Sequence, residues 1–202
     1  ESVKETIGTN KYSEIILHLK SIGLFAENFE PLYSTLKLNS KYSYNKKDID
    51  ILASSQENED QEILDAFTID DQGSYDFDDA ISIKREDGAY LLYIHISNFS
   101  SLFSNDSIYI KDAKRIINTI YAPSGNFNLY DRRLVDVMSL KANSIRPVLS
   151  IKYKLKDFNI VSCNIEKNFI KVSENFTYEK FESLIESNPD YAFIDKFTAN
   201  LK

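Results

Sequence analysis

The run Thr68-Ile69-Asp70-Asp71-Gln72-Gly73-Ser74-Tyr75-Asp76-Phe77-Asp78-Asp79-Ala80 places five aspartates within ten positions. Two carboxylates ~4 Å apart repel by roughly 4 kcal/mol at an effective dielectric near 20. Folding gathers such groups only against a counter-charge, and a divalent cation is a compact one. Hard cations such as Mg²⁺ take oxygen ligands, from carboxylates and from substrate phosphates. Phe67, Ile69, Phe77, Ala80 and Ile81 are mixed in with the acids. That mixture describes a folded loop pinned between buried elements, not a solvated acidic tail. The plain alternative is an exposed acidic turn that binds nothing, and spacing alone leaves it open.

The elements that would hold this loop are legible nearby. Ala66-Phe67-Thr68-Ile69 is short, apolar and β-branched in part, Gly73-Ser74 is turn chemistry, and Ala80–Ile83 alternates at period two. Phe77 is expected to point inward between Asp76 and Asp78. A loop between two neighbouring strands could then aim Asp70, Asp76, Asp78 and Asp79 at one cavity. Two other acidic-loop chemistries fit less well. With Gly73 at the sixth position of an EF-hand, Thr68 falls at the first and Asp79 at the twelfth, where Asp and Glu are needed. A glycosidase pair uses two carboxylates and leaves the others without a role.

Thr68-Ile69-Asp70 followed by Asp76-Phe77-Asp78-Asp79-Ala80 resembles the active-site motif of the ribonuclease II (RNB) exoribonuclease family. Further segments resemble the family pattern in order: Tyr93–Ser100, Thr119-Ile120-Tyr121-Ala122-Pro123, and Ser139–Ser150 with Arg146 inside it. The resemblance covers about residues 63–187. It implies that Asp70, Asp76, Asp78 and Asp79 form a catalytic cluster binding Mg²⁺, or Mn²⁺ in its place. The cluster would act on the terminal phosphodiester of single-stranded RNA, working from the 3′ end and releasing nucleoside 5′-monophosphates. Tyr121 would stack on the 3′-terminal nucleotides, and Arg146 is a weaker candidate for RNA contact, with Arg132 and Arg133 beside it. Some positions depart from the pattern. Asn98 stands where the family has Asp, Asp106 stands for Gly, Asn128-Leu129-Tyr130 stands for Met-Leu-Pro, and Ile116 stands for Arg. These departures motivate a second reading, a catalytically dead RNA-binding or scaffold relative. A third reading is a structural cation-binding loop on an unrelated fold.

The resemblance further implies a longer catalytic domain whose C-terminal half is not in this chain. The expectation is therefore a fragment, inactive alone. The chain has 202 residues, 43% of them hydrophobic and 13% aromatic, enough for a packed core. Its formal net charge is −7, the wrong sign for gripping RNA by bulk electrostatics. Metal would cancel part of the acidic cluster, and RNA-binding surface would also lie in the missing half. No apolar run reaches the length of a membrane span, so no membrane partner is expected. The lone Cys163 cannot form an internal disulfide and suits a reducing cytoplasm, the expected location. Its strand-like surroundings predict a packed thiol.

The expected fold class is α+β, a mixed and largely antiparallel sheet with packed helices, the first half of an RNB-type domain. Residues 1–38 are expected to form a helical leader, with helix over 11–36, and 39–62 a polar linker. The catalytic part is expected over 63–202. Glu86-Asp87-Gly88 marks one hairpin and Lys156-Asp157-Phe158-Asn159 a second. Helices are expected over 107–120 and 178–186, with irregular chain over 124–138. His95 is expected to be structural and His18 a surface residue.

Overall fold

The computed structural model describes residues 12–27, 47, 49, 62–122 and 125–200. The chain divides into two compact units, one formed by 1–44 with 105–132 and the other by 45–104 with 133–202. The larger unit carries the aspartates. Its strands are β1 (Ile63–Asp70), β2 (Asp79–Glu86), β3 (Ala89–Ser97), β6 (Ile145–Lys156) and β7 (Asn159–Thr177). They close into a barrel in the order β1-β2-β3-β6-β7. Every neighbouring pair is antiparallel except β1 with β7, whose parallel pairing seals the barrel. Both sequence-predicted hairpins are present. Asp87 and Gly88 turn the first with φ of 50° and 74°, and Asp157 and Phe158 turn the second with φ of 50° and 62°. Two positive φ values in succession are the geometry that matches strand twist in a two-residue loop.

Side chains alternate between the two faces of these strands. One face gathers Leu64, Ala66, Ala80, Leu91, Tyr93, Val148, Ile170 and Val172, with Leu140 packed among them. Ala66 and Ala80 among them leave room for the larger side chains in the interior of a five-stranded barrel. The same interior holds His95, fully buried between two hydroxyls. Its Nδ1 lies 2.7 Å from Ser150 Oγ and its Nε2 lies 2.8 Å from Ser82 Oγ. Ser82 donates its own proton to the Asp65 carbonyl at 2.6 Å. Ser82 Oγ is therefore free only to accept, so His95 carries its proton on Nε2 and accepts from Ser150 on Nδ1. Burial lowers its pKa to about 4. The ring is a neutral staple across β2, β3 and β6, as its structural assignment requires.

The opposite strand face is covered by α4 (Tyr178–Ile185) and α5 (Pro189–Ala199). Phe67, Leu92, Leu155 and Phe176 pack there against Phe181, Phe193, Ile194 and Phe197. Thr177 Oγ1 caps α4 by accepting from Lys180 N–H, and Asn188 Oδ1 caps α5 by accepting from Asp190 N–H. Between β3 and β6 runs α3 (Arg132–Met138), which buries Leu134 and Met138. Irregular chain over 124–138 is thus corrected. β5 (Gly125–Phe127) pairs with β4 (Ile120–Ala122), and α3 follows.

In the smaller unit α1 spans Tyr12–Ser21 and α2 spans Ile108–Ile116. The expected 11–36 helix is shorter, since Gly23 at φ 75° ends it and Leu24 N–H closes onto the Leu19 carbonyl. Residues 28–36 lie outside the described residues, as does nearly all of the 39–62 linker. The expected 107–120 helix begins as read, with Ser107 accepting from Ile110 N–H, but stops at Ile117, whose φ is 73°. Ile120 then starts a strand. His18 is exposed. Cys163 lies in β7 as expected but is exposed rather than packed.

Candidate functional site

β1 delivers Asp70 at its end and β2 begins at Asp79, so the antiparallel pair brings both to one end of the barrel. Phe67 sits across from Ile81. Carried three residues further, that register sets Asp70 opposite Asp78. Residues 71–78 are the connecting loop, and it is held from within the unit. Phe77 packs against the barrel interior cluster, the inward anchor expected from sequence. Its N–H donates to Ser139 Oγ at 2.9 Å, and its carbonyl accepts from Leu140 N–H at 2.9 Å. The Asp78 carbonyl accepts from Ser97 N–H at 2.9 Å, and Ser97 Oγ donates to the Met138 carbonyl. Asp76 and Asp78 flank Phe77 and are exposed.

The residue holding the Ser139–Ala142 segment is Asn175. Its Nδ2 donates to Thr68 Oγ1 and to the Leu140 carbonyl, and its Oδ1 accepts from Ala142 N–H at 2.8 Å. One amide thus joins β1, β7 and the segment that grips the loop. Sequence reasoning assigned Ser139 to a motif without a role and passed over Asn175. One polar residue among many in a long strand carries no local signal of a bond to residues 107 and 35 positions away.

The electrostatics are those of crowded carboxylates. Desolvation raises the pKa of Asp70, with Asp79, Asp78 and Asp71 adding repulsion and a Thr68 hydrogen bond opposing. Desolvation, then Asp78, pushes Asp76 up to about 6, while Lys141 pulls it down. Asp78 is raised by desolvation and by Asp79. Asp76, Asp78 and Asp79 remain water-accessible, so their repulsion is screened relative to that of a buried cluster. Asp70 Oδ2 is buried without a hydrogen-bond partner, which a native fold normally avoids. Oxygen donors in excess of hydrogen-bond donors fit a hard divalent cation. Among the described residues, no three acidic, histidine or cysteine side chains already form a ready-made metal cage. The carboxylates are neighbours, not a closed clamp.

Of the other sequence candidates, Arg146 lies on β6 in the same unit. Its Nη1 donates to the Ile145 carbonyl at 2.9 Å, burial lowers its pKa, and its Nε is buried without a partner. Tyr121 lies in β4 of the smaller unit, and its side chain falls outside the described residues. Lys141 pairs with Asp136 beside Asp76.

A family model described as the RNB domain matches residues 58–199. Exoribonuclease 2 of Escherichia coli O127:H6 is 31% identical over 137 residues, which cover 66% of this chain and 21% of that protein. The chain thus spans about a fifth of the length of that relative. Mycoplasma genitalium RNase R, solved in complex with ribose methylated single-stranded RNA, is similar in fold. It has a TM-score of 0.59 at 19% identity, covering 77% of this chain and 26% of that one. Yeast Ssd1, described as a pseudonuclease, also has a TM-score of 0.59, at 18% identity over 67% of this chain and 17% of its own.

Proposed function

Because the chain belongs to the RNB domain family, we propose that it is part of a Mg²⁺-dependent 3′-to-5′ exoribonuclease. Its substrate is single-stranded RNA and its products are nucleoside 5′-monophosphates. One observation carries this reading. Asp70, Asp76, Asp78 and Asp79 lie in and at the two ends of one strand connection, three of them with raised proton affinity and one with an unpartnered buried oxygen. In this reading the four hold Mg²⁺, and Mn²⁺ can stand in. The ion would supply positive charge and Lewis acidity at the scissile phosphate.

The chain's own contribution is position. Phe77, Ser139 and Leu140 anchor the loop segment that carries Asp76 and Asp78. The repulsion is met by the fold rather than at the moment of reaction, which is preorganisation. Lys141 moderates the charge at Asp76. Tyr121 is assigned to stacking on the 3′-terminal nucleotides. Arg146 is assigned to the RNA backbone, where its unpartnered Nε would find an acceptor. The activity is proposed for a longer parent protein, and residues 1–202 alone are expected not to digest RNA. Asp78→Asn in the parent should abolish cleavage while RNA binding persists, and hydrolysis near the wild-type rate would overturn the assignment.

One observation favours a second reading, an inactive RNA-binding relative. Asn98 replaces the family's aspartate directly after Ser97, whose N–H holds the Asp78 carbonyl. Binding without cleavage by the parent would support that reading.

A further inference from the structure

At the end of the barrel away from the aspartates, the tips of both hairpins meet α5. They enclose a cleft of about 410 Å³ lined by Arg85, Tyr90, Asp157, Phe158, Phe193 and Lys196, among others. That volume lies within the range of small-molecule sites. Six residues of β2 separate Asp79 from Arg85, roughly 20 Å at 3.3 Å per residue.

Three aromatic rings form a pile here. Tyr90 and Phe193 have centroids 3.7 Å apart at 15°, and Phe193 and Phe158 are 5.0 Å apart at 15°. The Arg85 guanidinium lies 4.9 Å from the Tyr90 ring centre. Phe158 ends the pile and is 40% exposed. Its backbone is the notable part, since φ is 62° at a turn position that favours glycine. A bulky residue pays conformational strain there. Glycine would suit the turn better, so the ring itself is what the position retains.

Arg85 commits Nε to Asp190 at 3.0 Å. One cation at the rim, Lys196, is not neutralised by an ion pair among the described residues and can meet a phosphate. Asp157 offers an acceptor for a base amine at the same rim. We propose that this cleft binds one nucleotide of the single-stranded RNA, remote from the carboxylates, with its base on the outer face of Phe158 and its phosphate at Lys196. The inference rests on RNA being the substrate, but not on metal or cleavage.

Fluorescence anisotropy of residues 1–202 with a labelled single-stranded RNA in EDTA reads this cleft without the carboxylate chemistry. Phe158→Gly removes the ring and leaves a turn that glycine accommodates, so the fold is kept. Loss of one stacked base should weaken binding by about tenfold. Lys196→Glu should weaken binding and flatten its salt dependence by roughly 0.7 in the logarithmic slope, one phosphate contact on a single strand. Unchanged affinity in both variants, or no RNA binding by the wild-type chain, overturns the proposal. An uncharged-base effect alone, with Lys196→Glu silent, overturns the phosphate assignment. None of these results bears on whether Asp78→Asn stops cleavage in the parent, so the two readings fail separately.

Discussion

His95→Gln should make the barrel less stable at neutral pH and less sensitive to acid. The ring is fully buried, bonded through both nitrogens, and neutral, with its pKa lowered from 6.5 to about 4. The sign follows from proton binding. The unfolded chain takes up a proton near 6.5 and the folded one only near 4. Stability from the neutral ring is therefore complete above 6.5 and is lost as pH falls from 6.5 towards 4. At ~1.4 kcal/mol per pH unit, going from pH 7.5 to pH 5 removes about 2 kcal/mol. Glutamine cannot titrate and loses none of it. At pH 7.5 it cannot reproduce both ring bonds, so a cost of about 1–3 kcal/mol for an unsatisfied buried hydroxyl is expected. Urea unfolding of both chains at pH 7.5 and pH 5 gives the difference of differences, in which all other titrating groups cancel. The gap between the proteins should narrow by about 2 kcal/mol at pH 5. A constant gap would refute the neutral staple.

Ser139→Ala removes the hydroxyl that accepts from Phe77 N–H inside a buried site. It should cost about 1–3 kcal/mol in chemical unfolding and weaken Mg²⁺ binding in calorimetric titration, because the aspartate loop loses an anchor. Asp76→Asn acts in the opposite sense. The raised carboxyl costs the fold stability as pH rises from about 4 through 6. In EDTA at pH 8 the variant should therefore be more stable than wild type by about 1 kcal/mol, after discounting for solvent screening. Saturating Mg²⁺ should erase or reverse that advantage in thermal melts. Phe67→Ala opens the cluster with Phe176, Phe181 and Tyr191 and should cost about 3–5 kcal/mol in urea unfolding, a large fraction of the roughly 5–15 kcal/mol stability of a typical domain.

The parts of the fold legible in sequence were those with local cause. Ala80–Ile83 and Tyr90–Ile96 alternate and are joined by Asp87-Gly88, so the first hairpin follows from period and turn chemistry. The Asp70–Asp79 cluster was conspicuous because charge crowding needs no tertiary information to be noticed. Closure of the barrel was not legible. It depends on a parallel pairing of Ile63 with Phe169, which no turn signals. α3 went unseen because its seven residues open on Arg132-Arg133 and bury only Leu134 and Met138. Ile117 and Ile120 keep helical spacing in the sequence, but the chain leaves the helix at Ile117, whose φ is 73°. The apolar sequence neighbours of Cys163 predict an interior position, yet the thiol is exposed. Burial is a property of the assembled barrel, and this stretch of β7 extends past β1. Asn175 and the Ser82–His95–Ser150 chain are bonds between distant strands, visible only once the barrel exists.

The central claim is that Asp70, Asp76, Asp78 and Asp79 make this domain a metal-dependent nuclease centre acting from the RNA 3′ end. The measurement that tests it most directly is digestion of 3′-labelled and 5′-labelled single-stranded RNA by the full-length parent protein, with Mg²⁺ and with EDTA. Immediate release of labelled mononucleotide from the 3′-labelled strand and gradual shortening of the 5′-labelled strand are expected, and neither in EDTA. Bound but intact RNA in Mg²⁺, or cleavage that persists in EDTA, would contradict it.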